Sequence, residues 1–303
     1  MCGIVGLFLK DAALEPDLGR LTAAMLNELS DRGPDSAGFA VYAPDAAETS
    51  KISAVAASGA PAWQVIAEDL AAALHAPVAV EVIEDHAIFK TCADGAAARA
   101  WLIDHVPGVS VLAQGRSIEI FKGVGAPAHV AARLKLAERR GTHAIGHTRM
   151  ATESAVTIAG SHPFSTGADT CLVHNGSLSN HNQLRRLLQR AGERFLTDND
   201  SEVAAGYITW RTRVGDSLTL ALERALLELD GFFTFVVGTR TGFAVLRDPI
   251  ACKPAVLAET DAWVAFGTEY RALALLPGVE RAAIWEPEPA TVYSWSRVSR
   301  HAA

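Results

Sequence analysis

The stretch MCGIVGLF (residues 1–8) places a cysteine at the second position, directly before the apolar run IVGLFL (residues 4–9). A short apolar run of this kind predicts a buried β-strand. A residue at the end of a chain rarely occupies a core position, so packing does not account for Cys2. Removal of Met1, which we expect before a small second residue, would instead leave Cys2 with both a thiol and a free α-amino group.

The two groups on Cys2 suit each other chemically. A thiol must lose its proton to act as a nucleophile, and an α-amino group titrates at about pH 7.7–8.0, close to the value of about 8.5 for a free thiol. One group can therefore take the proton of the other. This is the amino-terminal form of nucleophilic catalysis, in which the base is the nucleophile's own amine.

Two stretches further along the chain join predicted elements through polar loops. RGPDSAG (residues 32–38) links a predicted helix to a predicted strand through a Gly-Pro turn signal. GHTRMAT (residues 146–152) ends a predicted strand with Arg149. The planar guanidinium of arginine binds a carboxylate through two parallel hydrogen bonds, so Arg149 is a candidate for binding an acidic substrate.

Two more stretches add polar groups at the ends of predicted elements. HNGSLSN (residues 174–180) follows a predicted strand, and there the side-chain amide of Asn175 stands beside the backbone N–H of Gly176. Such a pair of donors is what an oxyanion hole requires. TDNDSEV (residues 197–203) places carboxylates at the start of a predicted helix, near its positive end.

Each stretch also has an ordinary structural explanation. Asn-Gly is a common turn sequence, carboxylates cap helices, and a lone arginine commonly forms a surface ion pair. The residues concerned are Asn175 and Gly176 for the turn, Asp198, Asp200 or Ser201 for the cap, Arg149 for the ion pair, and His147 and His174 as ordinary histidines at strand ends.

Together and in this order, the five stretches resemble the class II glutamine amidotransferase domain, an Ntn-hydrolase family with an amino-terminal cysteine. This domain occurs in glucosamine-6-phosphate synthase, amidophosphoribosyltransferase, asparagine synthetase and glutamate synthase. The resemblance covers residues 2–42 and 143–270. It implies an α+β fold, the four-layer αββα Ntn-hydrolase sandwich.

The segment between the two matching parts differs in composition. Residues 43–142 are rich in alanine and carry predicted helices and strands of their own. We therefore expect a type 2 amidotransferase domain over residues 2–303, interrupted by an inserted small α/β subdomain at about 43–142.

The resemblance also implies roles for nine residues. Cys2 would attack the side-chain amide carbon of glutamine, with its own α-amino group as base, and water would hydrolyse the resulting thioester. Asn175 and the Gly176 amide would hold the oxyanion. The remaining assignments are Arg149 for the α-carboxylate of glutamine, Asp200 for its α-ammonium, Thr152 and His162 for the substrate loop, and Arg32 and His174 for support of the site.

Composition and cysteine spacing argue against several kinds of partner and of site. The formal net charge of −7 does not favour nucleic acid, and no apolar stretch approaches the ~20 residues that cross a bilayer. Neither a metal site nor a disulfide framework is predicted, because the four cysteines are far apart and form no C-x-x-C pair. We interpret Cys92, Cys171 and Cys252 as buried packing residues. Without a signal sequence, the protein is expected to be cytoplasmic, with no metal and no cofactor of its own.

The ammonia released from glutamine must be consumed by another protein. No synthase domain is recognisable in the chain, so we expect a hetero-oligomer with an acceptor subunit. The chain resembles amidotransferase subunits of glutamate-synthase-like complexes, such as N-methylglutamate synthase, where FMN and iron–sulfur groups belong to the partner subunits. The inserted subdomain is a candidate for subunit docking. Two alternatives stay open: a free-standing hydrolase of another γ-glutamyl amide, and a non-catalytic assembly subunit that keeps the fold.

Overall fold

The computed structural model describes residues 2–43, 49–57, 59, 61–150 and 156–297. Within these residues the strands, in chain order, are β1 (Gly3–Leu9), β2 (Ser36–Tyr42), β3 (Ser50–Ala56), β4 (Val78–Ile83), β5 (His86–Thr91), β6 (Val109–Gly115), β7 (Ile118–Val124), β8 (His143–Arg149), β9 (Phe164–Gly167), β10 (Thr170–Leu178), β11 (Gly231–Thr239), β12 (Gly242–Arg247), β13 (Val256–Glu259), β14 (Trp263–Gly267), β15 (Ala283–Trp285) and β16 (Thr291–Ser296). The α-helices are α1 (Leu18–Asn27), α2 (Trp63–Leu74), α3 (Gly95–His105), α4 (Pro127–Arg133), α5 (His181–Arg190), α6 (Asp200–Arg213), α7 (Leu218–Glu228) and α8 (Tyr270–Leu273).

Strand β1 lies inside the larger of two stacked sheets. Among the described residues this sheet has the order β15-β13-β14-β1-β8-β2-β7, and each pair of neighbours is antiparallel. Side chains of β1 alternate between its two faces. Ile4 and Phe8 pack toward the second sheet, whereas Val5, Leu7 and Leu9 pack with the helices on the other side. Because both faces of β1 are buried, its sequence is continuously apolar, and the predicted buried strand is confirmed.

The second sheet has the order β16-β12-β11-β10-β9 among the described residues. Apolar side chains of both sheets form one core between them, including Phe8 and Ile145 from the first sheet and Val173, Val236 and Phe243 from the second. Helices α1, α4 and α8 cover the outer face of the first sheet, and α5, α6 and α7 cover that of the second. The four layers confirm the predicted αββα sandwich.

The inserted segment forms a separate sheet that spans fewer residues than the predicted subdomain. Its strands have the order β4-β5-β3-β6, and α2 and α3 pack on it around a core of their own. Strand β7 instead pairs with β2 in the large sheet, and α4 packs on the main core. The separate sheet therefore lies within residues 50–115, and the rest of the predicted 43–142 segment that the structure describes belongs to the sandwich.

A buried carboxylate joins the inserted sheet to the sandwich. Asp169, in the turn between β9 and β10, accepts hydrogen bonds from the backbone N–H groups of Arg116 at 2.9 Å, Ser117 at 2.8 Å and Ile118 at 3.1 Å. These three residues form the turn from β6 to β7. Successive N–H groups that converge in this way form an anion-binding nest. The Asp169 carboxylate therefore fixes the point where the inserted sheet leaves the sandwich.

The three downstream cysteines differ in their surroundings. Cys171 is buried, as predicted, and burial raises the pKa of its thiol to about 11. Cys92 and Cys252 are exposed, so the prediction that they are packing residues is wrong. Both follow buried strands but lie in loops, where the chain has already reached the surface. No helix in the described ranges combines the length and apolar character that a membrane span requires.

Candidate active site

Cys2 lies where the start of β1 meets the ends of its two neighbours. β1 pairs with β8, with Gly3 opposite Thr148, and with β14, with Val5 opposite Gly267. Because both pairings are antiparallel, the residues at the ends of β8 and β14 come beside Cys2. The order of strands therefore brings GHTRMAT and the segment after β14 to one place.

Two threonine hydroxyls hold the backbone that follows Cys2. The N–H of Gly3 donates to Thr148 Oγ1 at 3.1 Å, and the N–H of Ile4 donates to Thr268 Oγ1 at 2.8 Å. Both threonines are buried. Neither threonine is among the site residues predicted from the sequence. Thr148 lies within GHTRMAT and could have been found there, whereas no local pattern marks Thr268.

The carbonyl oxygen of Cys2 is the meeting point of two predicted site residues. It accepts a hydrogen bond from Arg32 Nε at 3.2 Å and a longer one from Asn175 Nδ2 at 3.4 Å. Arg32 belongs to the loop after α1, on the side of the large sheet, and Asn175 belongs to β10 of the second sheet. The half-buried Cys2 is therefore held between the two sheets.

Gly176 occupies a position that requires glycine. It lies inside β10, opposite Phe233 of β11, with a φ of +151° that side chains rarely allow. A Cβ at this position would lie 2.0 Å from the carbonyl oxygen of Phe232. Asn175 and Gly176 are thus strand residues, and the alternative of a simple Asn-Gly turn is wrong.

Arg149 ends β8 and is 7% exposed. Its carbonyl oxygen accepts the N–H of Asp35 at 3.1 Å, and Gly33 lies so close to it that a Cβ on Gly33 would be 2.5 Å from the Arg149 nitrogen. RGPDSAG and GHTRMAT are therefore packed directly against each other. Since Arg149 is buried, the alternative of an exposed ion pair at the surface does not describe it.

Asp200 is the first residue of α6, but it does not cap the helix. Asn199 is the cap, and its side chain accepts the N–H of Ser201 at 2.8 Å. The Asp200 carboxylate instead accepts the N–H of Leu178, the last residue of β10, at 2.9 Å. Capping by residues 198, 200 or 201 was therefore the wrong alternative. Asp200 connects the start of α6 to the strand that carries Asn175.

His174 extends this connection into the interior. Its Nδ1 shares a hydrogen bond of 2.9 Å with Ser201 Oγ, and Ser201 Oγ also donates to Asp200 Oδ1 at 3.3 Å. Burial lowers the pKa of His174, and the nearby Asp200 carboxylate partly opposes this. A neutral His174 thus supports Asp200 through Ser201, beside the predicted oxyanion donors.

Two further buried imidazoles, those of His147 and His162, lie near Arg149. The rings of His147 and His162 are 3.9 Å apart between centroids, and burial lowers the pKa of both, that of His147 to about 3. Neither ring nitrogen of His162 has a hydrogen-bond partner among the described residues. Ser161 fixes the neighbouring backbone by donating to Ser36 Oγ at 2.9 Å. The structure thus places His162 against His147, two residues before Arg149 on β8.

The remaining predicted residue, Thr152, lies outside the described residues, in the segment 151–155. Across the residues that are described, no group of three or more His, Cys, Asp or Glu side chains is arranged to hold a metal ion. A cavity of about 570 Å³ lies elsewhere, lined by Lys10, Glu259 and Arg281 among others, and none of the predicted site residues lines it.

The assembled groups suit acyl transfer at an amide of an amino acid. A thiol at Cys2 is a nucleophile, the Asn175 amide is a neutral donor for a developing oxyanion, and Arg149 and Asp200 carry opposite charges. Opposite charges held on separate elements can bind the carboxylate and the ammonium of one amino acid. The histidines around them are neutral at pH 7, so they add no charge of their own.

The chain is similar over nearly its full length to two known sequences. A family model described as a glutamine amidotransferase domain matches residues 147–275. The glutamine amidotransferase-like protein GlxB of Rhizobium meliloti is 56% identical over 97% of this chain and 98% of its own length. A putative glutamine amidotransferase of Methanothermobacter thermautotrophicus is 34% identical over 89% of this chain and 92% of its own.

The fold is shared with a solved structure of much lower sequence identity. Glutamine phosphoribosylpyrophosphate amidotransferase from B. subtilis superposes with a TM-score of 0.59 at 21% identity. The match covers 97% of this chain but 49% of the other, so this chain spans about half the length of that protein. At this identity the likeness is one of fold.

Proposed function

Because the chain belongs to the class II glutamine amidotransferase family, we propose that it hydrolyses the side-chain amide of glutamine to glutamate and ammonia through a thioester on Cys2. The observation that carries the proposal is the contact of Cys2 with Asn175. Cys2, which becomes the first residue once Met1 is removed, and the predicted oxyanion donor come from different sheets. The Asn175 Nδ2 atom lies 3.4 Å from the carbonyl oxygen of Cys2.

The reaction begins once Met1 has been removed. The α-amino group of Cys2 takes the thiol proton, and the sulfur attacks the amide carbon of glutamine. The Asn175 side chain and the Gly176 N–H stabilise the negative oxygen of the tetrahedral intermediate. The carbon–nitrogen bond then breaks, and ammonia leaves with the proton held by the α-ammonium.

The thioester left on Cys2 is resolved by water. The α-amino group takes a proton from the water as its oxygen attacks the thioester carbon, and glutamate leaves as the thiol regains its proton. Every step is redox neutral, so this chain needs no cofactor for the hydrolysis. Arg149 holds the α-carboxylate of glutamine, Asp200 holds its α-ammonium, and Thr152 and His162 are the substrate-loop residues of the proposal.

The ammonia passes to a partner synthase subunit of the glutamate synthase or N-methylglutamate synthase kind. FMN and iron–sulfur groups belong to the partner subunits in this proposal.

The test is release of glutamate and ammonia from glutamine by the purified chain, alone and with the proteins that copurify with it. Wild type is expected to hydrolyse glutamine, and Cys2→Ala to have no activity. Cys252→Ala is the control, because Cys252 is also a free cysteine but is exposed and lies in a different loop. It should retain full activity.

Other outcomes would replace the proposal. Turnover of γ-glutamyl peptides without turnover of glutamine would favour the free-standing hydrolase. Retention of Met1 with no turnover of any γ-glutamyl amide would favour an assembly subunit, because a blocked Cys2 has no base.

A further inference from the structure

Arg32 is a mostly buried cation beside Cys2. Its Nε donates to the Cys2 carbonyl oxygen at 3.2 Å, and its side chain is 11% exposed. A second nitrogen, Nη1, forms an ion pair with Glu269 Oε1. The third, Nη2, has no hydrogen-bond partner among the described residues. Glu269 is therefore the carboxylate that balances the charge of Arg32 and fixes the plane of its guanidinium.

Glu269 is itself held from the other side. Its Oε2 bonds with Arg271 Nε at 2.6 Å, and Arg271 Nη2 bonds with Asp31 Oδ1 at 2.6 Å. The four residues Asp31, Arg271, Glu269 and Arg32 thus alternate in charge from the surface to Cys2. The hydrogen bond from Arg271 lowers the pKa of Asp31, so the outer end of the series stays ionised.

The segment after β14 therefore holds the start of β1 in two ways. Thr268 accepts the N–H of Ile4 at 2.8 Å and donates its own N–H to the Ile4 carbonyl oxygen at 3.0 Å. The next residue, Glu269, reaches Cys2 through Arg32. Thr268 therefore fixes the start of β1, and Glu269, through Arg32, fixes the carbonyl group of Cys2.

The outer and inner ion pairs of the series differ in how much free energy they contribute. Asp31 and Arg271 are largely exposed, and ion pairs between exposed groups contribute little. Arg32 is mostly buried, so losing its carboxylate would leave a poorly solvated and uncompensated charge next to Cys2. The Arg32–Glu269 pair is therefore the member of the series that acts on the site.

We propose that Glu269 is a positioning residue for the Cys2 nucleophile, acting through Arg32 and touching neither the thiol nor the substrate. The proposal rests on the function proposed above. With Glu269 in place, the guanidinium keeps one orientation and holds the Cys2 carbonyl, so that the thiol and α-amino group face the oxyanion donors. Misplacement of reacting groups by about 1 Å can lower a rate by about a hundredfold.

The test compares Glu269→Gln with Glu259→Gln. Both glutamates bond to a basic side chain and have similar side-chain exposure, 30% for Glu269 and 33% for Glu259. Glu259 pairs with Lys10, at the far end of β1 and about 25 Å along the strand from Cys2. Glu269→Gln is expected to lower kcat for glutamine hydrolysis about tenfold or more with KM changed less than about twofold, while Glu259→Gln leaves both unchanged.

A double-mutant cycle shows whether Glu269 acts through Arg32. In an Arg32→Met background, where Glu269 still pairs with Arg271, Glu269→Gln is expected to cause no further loss of kcat. An equal loss in both backgrounds would overturn the proposal. So would an unchanged kcat in the Glu269→Gln variant, with wild type active.

Alkylation of Cys2 by iodoacetamide, followed by mass spectrometry, gives a readout that does not depend on glutamine. Removal of the Glu269 carboxylate frees the Arg32 guanidinium that holds the Cys2 carbonyl group, so the thiol changes position and its alkylation rate at pH 7 is expected to differ severalfold from that in wild type and in Glu259→Gln. Equal alkylation rates in all three proteins would count against Glu269 whether or not glutamine is turned over. Absence of glutamine turnover in wild type, with a severalfold change of the alkylation rate in Glu269→Gln, would overturn the proposed function and leave the positioning of Cys2 supported.

Discussion

The contacts that hold Cys2 are made by its carbonyl oxygen, with Arg32 and Asn175, and by the backbone of Gly3. This arrangement leaves the thiol outside the hydrogen bonds that fix the residue. It also makes the position of the nucleophile depend on side chains from two sheets. At the residue scale, the account therefore makes predictions about groups around Cys2 as well as about Cys2 itself.

Arg149→Lys is expected to raise the KM for glutamine about tenfold or more, with a smaller effect on kcat. A lysine keeps the positive charge but cannot form two parallel hydrogen bonds with a carboxylate. Steady-state kinetics of glutamine hydrolysis measure the effect. Arg139→Lys is the control, since Arg139 is also largely buried and ion-paired, with Glu81 at 2.9 Å. An unchanged KM in Arg149→Lys would contradict binding of the α-carboxylate by Arg149.

Lys122 gives a prediction for the pH dependence of stability. Burial lowers the pKa of Lys122 to about 7, against 10.5 for an ordinary lysine, although the Glu202 carboxylate partly opposes this. Below pH 7 both the folded and unfolded states keep the proton, and the folded state bears the full penalty of a buried charge. Between pH 7 and 10.5 the unfolded state binds more protons, so the free energy of unfolding rises with pH.

Lys122→Met is therefore expected to stabilise the protein by about 2–4 kcal/mol at pH 6, and the gain should shrink to near zero by about pH 10. Urea unfolding of both proteins across this range measures it. Lys90→Met is the control, because Lys90 is half-exposed beside Glu81 and its replacement should change stability by less than about 1 kcal/mol at any pH. A gain for Lys122→Met that does not vary with pH would contradict the account.

At the scale of elements, the site is built from the ends of strands and the start of one helix. The motifs could be located from the sequence, because each lies at a recognisable boundary between a predicted strand or helix and a polar loop. Thr268 and Glu269 could not, since their place in the site depends on β1 pairing with β14 at the opposite end of the chain. A single sequence carries no signal for the order of strands in a sheet.

The inserted sheet shows a second limit of prediction from the sequence. Of its four strands, β5 (HAIFKT) has a clear strand pattern in the sequence, whereas β3, β4 and β6 have none. These strands consist largely of small and β-branched residues within an alanine-rich segment, and the side chains on one face of each strand pack on α2 and α3. Where composition is uniform, periodicity does not separate strands from helices.

Asp169→Asn is expected to weaken the junction between these elements and to lower the free energy of unfolding by about 2–3 kcal/mol. An amide has one acceptor oxygen and no charge, so it cannot satisfy the backbone N–H groups of Arg116, Ser117 and Ile118 equally well. Chemical denaturation measures the change. Asp94→Asn is the control, because Asp94 only caps α3 through the N–H of Ala96 and asparagine caps equally well. Equal stability of the two variants would contradict a special role for Asp169.

At the scale of the whole molecule, the sandwich brings segments that are far apart in the sequence close together in space. β1 lies between β8 and β14, and its start faces β10 of the other sheet, so segments from four parts of the chain surround Cys2. The inserted sheet has its own core, and Val55, Leu112 and Ala113 of β3 and β6 also pack into the core between the two large sheets.

The proposed complex with a synthase partner gives a prediction at this scale. When the chain is isolated with its partner, Cys2→Ala is expected to abolish synthesis driven by glutamine and to preserve synthesis driven by added ammonium. The partner then remains intact and lacks only its supply of ammonia. Loss of both reactions would indicate that Cys2 matters for folding or assembly.

The most direct measurement is mass spectrometry of the wild-type chain after reaction with a diazoketone analogue of glutamine, which alkylates a nucleophilic thiol with loss of nitrogen. The account predicts a chain that begins at Cys2, carries one label and carries it on Cys2. A label on Cys92, Cys171 or Cys252, or full glutamine hydrolysis by a chain that retains Met1, would contradict it.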